Sequence, residues 1–136
     1  MFADTSTHDD PSTPAAVARR YLAAFATADP AQIAACVTDD FVNEHTSALG
    51  GGCVGRGAYL ERLPGFLAGM AGVRYDVEDL VADGDRVAAA YTMHATNDGH
   101  PITIRGVMWI AVRDGLVAKR TDYWDSLTFL RQTGKA

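Results

Sequence analysis

Residues 86–126 read RVAAAYTMHATNDGHPITIRGVMWIAVRDGLVAKRTDYWDS. Three runs rich in β-branched and aromatic residues, 86–96, 102–112 and 116–126, are cut by Asn97-Asp98-Gly99 and by Asp114-Gly115. Asp-Gly and Asn-Asp-Gly steps supply the positive φ angles that tight hairpins need. A fourth alternating run, Val73 to Glu78, lies upstream and leads to the turn Asp83-Gly84-Asp85. Four strands joined by three such turns predict an antiparallel meander.

The chain before the meander has helical periodicity. Thr13 and Pro14 form a helix start, and Val17, Tyr21 and Phe25 make one apolar stripe at four-residue spacing. That helix should end near Ala28. Asp29-Pro30-Ala31-Gln32 should start a second, with Gln32 completing a capping box and with Ile33, Cys36 and Val37 as its buried side. Asp39-Asp40 is expected to turn the chain into a strand from Phe41 to Thr46, with Phe41, Asn43 and His45 on one face. Both faces of this strand are mixed, which fits a strand lining a polar-bottomed pocket and equally an edge strand.

Gly50 to Gly57 is the most glycine-rich stretch. It formally contains G-x-G-x-x-G but lacks the buried parallel strand that a dinucleotide fingerprint needs. It is expected to be a loop before a helix over 58–67, which Pro64-Gly65 should kink or split. Residues 1–12 are polar and expected to be disordered; residues 13–136 are expected to form one domain. Helices followed by a curved antiparallel sheet give an α+β class with the helices on one face.

Charge and composition narrow the partners. The 136 residues carry 12 Lys plus Arg against 17 Asp plus Glu, a net charge of -5. No basic stripe is present, so neither nucleic acid nor an acidic membrane surface is an expected partner. The N-terminus does not read as a secretory signal and no apolar run is long enough to span a bilayer, so a cytoplasmic location is expected. Cys36 and Cys53 should then be free thiols. There is no G-x-S-x-G elbow, phosphate-binding loop or C-x-x-C. Among the four histidines no pair sits at metal-ligand spacing, so no metal and no cofactor are expected.

The last strand carries the chemistry. Strand alternation puts Arg120, Asp122 and Trp124 on one face. If that face lines a pocket, Asp122 is the best general acid or base in the chain, since lost hydration favours its protonated form. The alternative is that Asp122 is a structural partner of Arg120. His45 is a second acid–base group or an oxyanion donor, or else a histidine bonded at a strand end. Tyr91 can donate to an enolate oxygen, or only pack. Asn43 can orient a carbonyl or a water. Trp124, Met93, Ile104, Met108 and Arg120 complete the expected pocket. On the other face of the third meander strand, Arg105, Val107 and Trp109 point outward. An outward tryptophan implies a covered surface, so a homodimer through the outer sheet face is expected.

The element order, with Asp39-Asp40-Phe41-Val42 and His45, the run Ile104-Arg105-Gly106-Val107-Met108, and Asp114-Gly115-Leu116 leading to Asp122-Tyr123-Trp124-Asp125, resembles the nuclear transport factor 2-like superfamily. Within it the chain resembles the SnoaL-like polyketide cyclases, with echoes of limonene-1,2-epoxide hydrolase and ketosteroid isomerase. The resemblance covers about residues 13 to 132. It implies a cone-shaped α+β barrel whose curved sheet and helices enclose a pocket, and it places Asp122 at a pocket aspartate, with Asn43 and His45 at water-positioning sites. The arginine and second aspartate of the epoxide hydrolases fall at Tyr91 and Met93, which argues against that reaction. Two classes of function fit: a cofactor-independent isomerase or aldol-type cyclase acting on a small apolar carbonyl compound, or a non-catalytic protein that binds a small apolar ligand. A purely structural dimer is a third.

Overall fold

In the computed structural model, which describes residues 10–136, helix α1 spans Pro14–Ala24 and Thr13 caps it, accepting the Ala16 N–H at 3.2 Å. Its end tightens into a 3-10 turn over Phe25–Thr27, and Ala28 stops it at a positive φ of 56°. Residues 1–9 of the expected polar tail lie outside the described residues. Residues 10–12 of that tail form a turn, with Asp10 Oδ1 accepting from the Ser12 N–H and hydroxyl.

Helix α2 is one short piece, Pro30–Ala34, capped by Asp29 through the Ala31 N–H at 2.9 Å. The reciprocal half of the expected capping box is not made. Gln32 Nε2 donates to Asp29 Oδ2, and the Asp29 N–H goes to Thr27 Oγ1. Cys36 and Val37 lie past the helix, and Val37 already begins strand β1, Val37–His45.

Asp39-Asp40 does not turn the chain. It lies inside β1, where the register against the last strand shifts between Val37 and Val42. The two carboxylates are met by arginines, Arg56 on Asp39 at 2.6 Å and Arg113 on Asp40. A short strand β2, Cys53–Val54, pairs with β1, so β1 is not an edge strand. Helix α3 runs Arg56–Gly69, longer than expected at both ends, and continues through Pro64. Pro64 deletes one intrahelical bond, while buried Tyr59 and Leu63 keep the helix seated on the core.

The meander forms as four long strands: β3 (Ala71–Asp83), β4 (Arg86–Asn97), β5 (His100–Arg113) and β6 (Leu116–Trp124). Asp98-Gly99 and Asp114-Gly115 take the paired positive φ angles that such hairpins need. Helix α4, Ser126–Gln132, follows, capped by Asp125 through the Leu127 N–H at 3.0 Å. The sheet order is β2-β1-β6-β5-β4-β3. All pairs are antiparallel except β1 with β6, which run parallel. The fold is therefore α+β, with helices on a six-stranded mixed sheet that stays open between β2 and β3.

The core lies between α1 and the inner sheet face. Val17, Tyr21, Leu22 and Phe25 meet Phe41, Ile102, Ile110 and Val117, all essentially without exposure. Aromatic edges lead from this core across the sheet, with Phe25–Tyr75 centroids at 5.0 Å and Tyr75–Tyr91 at 5.1 Å. Outside, Val107, Trp109 and Tyr123 are exposed, and the Arg86 guanidinium sits 5.3 Å from the Trp109 ring. Among the described residues no helix is long and apolar enough to cross a membrane.

Candidate active site

Strand alternation on β6 sends Arg120, Asp122 and Trp124 inward, with Arg120 4% and Asp122 2% exposed. Parallel pairing sets Asn43 of β1 beside Arg120, and His45 beside Asp122. Four polar side chains thus share one patch of the inner sheet face. Tyr91 reaches the same patch from β4. Gly106 of β5 stands between the two strands, paired with Tyr91 on one side and Trp124 on the other. A Cβ there would fall against the Tyr91 hydroxyl and within 2.6 Å of the Tyr123 carbonyl oxygen. Because Gly106 has none, the Tyr91 O–H crosses to Asp122 Oδ1 at 2.6 Å.

The second carboxylate oxygen belongs to Arg120, whose Nη2 donates to Asp122 Oδ2 at 2.7 Å. Arg120 Nη1 donates to the Tyr21 hydroxyl at 2.9 Å, and Tyr21 is hydrogen-bonded to the Tyr59 hydroxyl at 2.6 Å. The guanidinium also lies over the rings of Tyr21 and Phe25 at 5.9 and 5.6 Å. Burial works against its charge, but the surrounding phenols and Asp122 outweigh that and hold its proton well above the ordinary arginine range. Burial, followed by the Asp122 charge, pushes the Tyr91 phenol far above its usual value, so its proton stays on oxygen. Among the described residues two buried side-chain polar atoms have no hydrogen-bond partner: Arg120 Nε and Asn43 Oδ1.

Above this patch lies a cavity of about 570 Å³ with walls of Phe25, Leu63, Phe66, Trp124 and Phe129. Asn43, His45, Tyr59 and Arg120 supply its polar surface, and the loop at Leu49-Gly50-Gly51, with Arg62, forms its rim. A recess of about 60 Å³ continues inward past Tyr91, Met93, Ile104 and Asp122. His45, Arg120 and Trp124 border both spaces. At the rim, Gly50 packs on the His45 side chain so closely that a Cβ would collide with it. In the glycine-rich stretch, Gly50 and Gly52 allow close approach to β1.

The two alternatives for Asp122 turn out to be compatible: it borders the recess and it is paired with Arg120. Tyr91 reaches the site, but its proton is spent on Asp122 and is not free for a ligand oxygen. Met93, Ile104 and Trp124 border the recess. Met108 does not; it is fully buried in the core and lines neither space. His45 comes within 3.9 Å of Asp122 through Nδ1, and that same Nδ1 accepts the Trp124 indole N–H at 3.1 Å. Burial, then the Arg120 charge, pulls the imidazole down to about 4, although Asp122 works the other way. His45 is therefore uncharged near neutral pH and brings no cation to the site. His94 is off the site, 3.2 Å from Asp76.

Tyr21 and Tyr59 were not legible as site residues. Tyr21 read as part of an apolar stripe, yet a core tyrosine must find a partner for its hydroxyl, and here that partner is the buried arginine. The arginine beside Asp122 comes from β6 itself, two residues away. Among the described residues no three His, Cys, Asp or Glu side chains gather as a ligand set for a metal ion.

The sequence model described as the SnoaL-like domain matches residues 18–120. Among curated proteins none matches the chain significantly. Solved structures share the fold at low identity. A Catenulispora acidiphila protein with a ketosteroid isomerase-like fold, in complex with trimethylamine, is 17% identical with a TM-score of 0.81, over 88% of this chain and 93% of that one. TerC, co-crystallized with polyporic acid, is 22% identical with a TM-score of 0.77, over 90% and 99%. An LEH-like epoxide hydrolase from M. tuberculosis is 20% identical with a TM-score of 0.75, over 89% and 92%.

Proposed function

Because the chain belongs to the SnoaL-like domain family, we propose that its pocket is that of a cofactor-independent acid–base enzyme acting on a small apolar carbonyl compound, as an isomerase or an aldol-type cyclase. One observation carries this reading: a buried Asp122–Arg120 pair, joined by the Tyr91 hydroxyl, sits at the inner end of a cavity walled largely by apolar and aromatic side chains. Buried ion pairs give little net stability, and apolar residues of similar volume often serve the fold better. A charged pair kept at the end of a cavity is thus better accounted for by a ligand than by the fold.

The chemistry follows from the inventory. Each Asp122 oxygen uses one lone pair on Tyr91 or Arg120 and keeps another. Asp122 takes a proton from the carbon alpha to a ligand carbonyl, and the electron pair of that C–H bond moves onto the carbonyl oxygen as an enolate. Returning the proton at a different carbon isomerises a double bond. Attack of the enolate carbon on a second carbonyl closes a ring, and the proton goes to the new alkoxide. His45 and the Asn43 amide stand on the neighbouring strand to bond the enolate oxygen.

The test is turnover of a panel of small apolar ketones and diketones by wild type and Asp122→Asn. A loss of about a hundredfold or more is expected for the variant. Equal rates, or no turnover by either protein while the ligands still bind, would favour the second reading, a non-catalytic binding protein. What favours that reading is that both carboxylate oxygens already have donors.

We also propose that two copies pair through the outer sheet face around exposed Val107, Trp109 and Tyr123. Sedimentation should give a dimer for wild type and a monomer for Trp109→Glu; a monomeric wild type would sink the idea.

A further inference from the structure

Trp124 does more at this site than close a wall. Its indole nitrogen is a donor and has no acceptor capacity, and at 3.1 Å it points its hydrogen at His45 Nδ1. A nitrogen that accepts this bond has its lone pair in the ring plane and carries no proton. A neutral imidazole has one proton, so it must sit on Nε2. Among the described residues Nε2 has no hydrogen-bond partner, and it is not among the sealed buried atoms that lack one. His45 borders both the cavity and the recess.

We infer that Trp124 is a positioning residue that fixes the His45 tautomer, so that His45 presents its Nε2–H to whatever occupies the cavity. The site is thereby set for a ligand atom that accepts a hydrogen bond, such as a carbonyl, carboxylate or phenolic oxygen, and set against an ammonium group, whose hydrogens would face this one. Near neutral pH the histidine neither takes a proton, its lone pair being engaged by the indole, nor gives one readily from a neutral ring. Its role is that of a fixed donor, and that role is the same for an enzyme and for a binding protein.

One contact points the other way. His45 Nδ1 also lies 3.9 Å from Asp122 Oδ2, a separation at which an imidazolium and a carboxylate would attract. A proton on Nδ1 would, however, set two donors against each other across 3.1 Å. The groups facing His45 are Asp122 and Arg120 from β6 and Arg62 from α3, and their combined effect with burial leaves the ring neutral until about pH 4. Burial and these charges therefore keep the ring neutral, the indole bond selects which nitrogen carries the proton, and the longer contact does not become an ion pair near neutral pH.

Long-range proton–nitrogen NMR of the uniformly 15N-labelled protein reads the tautomer directly, with the His45→Asn spectrum assigning the ring. Wild type at pH 7 should show a pyridine-like Nδ1 and a protonated, pyrrole-like Nε2. In Trp124→Phe, which keeps the ring and removes the N–H, the two nitrogens should shift toward each other as the second tautomer becomes populated, and the midpoint of titration should rise from about 4. A protonated Nδ1 in the wild type overturns the inference whether or not the variant folds. So does a Trp124→Phe spectrum unchanged at both nitrogens. Neither readout depends on turnover, so a failure here is distinct from a failure of the proposed reaction.

Discussion

Arg120→Met is expected to destabilise the folded protein by about 3–5 kcal/mol, the cost of leaving one member of a buried ion pair without its partner. Asp122 is 2% exposed and has two donors, Arg120 Nη2 and the Tyr91 hydroxyl. Methionine keeps much of the packing on Phe25 and Tyr21 but brings no charge, so the carboxylate is left with Tyr91 alone. Urea unfolding should report the change, and the melting temperature should fall by about 10 °C or more. The informative comparison is the double variant Arg120→Met with Asp122→Leu. With both charges gone the penalty should largely disappear, because apolar replacement of a whole buried pair is often neutral or better. A double variant that folds well and no longer binds or turns over ligand would locate the purpose of the pair in the cavity. A double variant as unstable as the single one would show instead that the pair serves the fold.

Gly106→Ala should cost about 1–3 kcal/mol, the range for forcing an extra methyl group into a packed interior. Here no backbone strain is involved, since Gly106 is not among the positive-φ residues. The new Cβ meets the Tyr91 hydroxyl and the Tyr123 carbonyl on the two neighbouring strands. The carbonyl belongs to the sheet and yields little, so the Tyr91 ring must move and its bond to Asp122 must lengthen or break. The expected result is a modest loss in unfolding free energy together with a changed environment for Tyr91, visible in the NMR signals of its ring. Stability unchanged from wild type would mean that the strands open to accept the methyl group, and that Gly106 does not govern the Tyr91–Asp122 contact.

Local chemistry decided most of the elements. Asp98-Gly99 and Asp114-Gly115 have the residue types that accept positive φ, so the hairpins and the strand order that follows from them could be read before any contact was known. The two-residue period puts Arg120, Asp122 and Trp124 on one face of β6, but buried Val117 lies on that side too only because the β5–β6 register shifts between Lys119 and Val117, which spacing alone does not reveal. Asp39-Asp40 misled because a carboxylate pair favours a turn only while it lacks partners, and Arg56 and Arg113, distant in sequence, supply them. The capping box went the same way: Thr27, close by, competed for the Asp29 N–H.

What the sequence determined by itself was therefore the fold class, the meander and which residues of β6 share a face, because these depend on spacing and on the backbone preferences of single residues. What only the tertiary structure decided was their partners. Whether Asp122 meets Arg120, a ligand or both depends on which strands stand side by side, and the parallel pairing of β1 with β6 that brings Asn43 and His45 to it has no short-range signal. The Tyr59–Tyr21–Arg120 chain joins α3, α1 and β6, and the Trp124–His45 bond spans 79 positions. Hydrogen bonds between distant residues become favourable only after the core has closed and water has left. The chemistry of this site was settled at that stage.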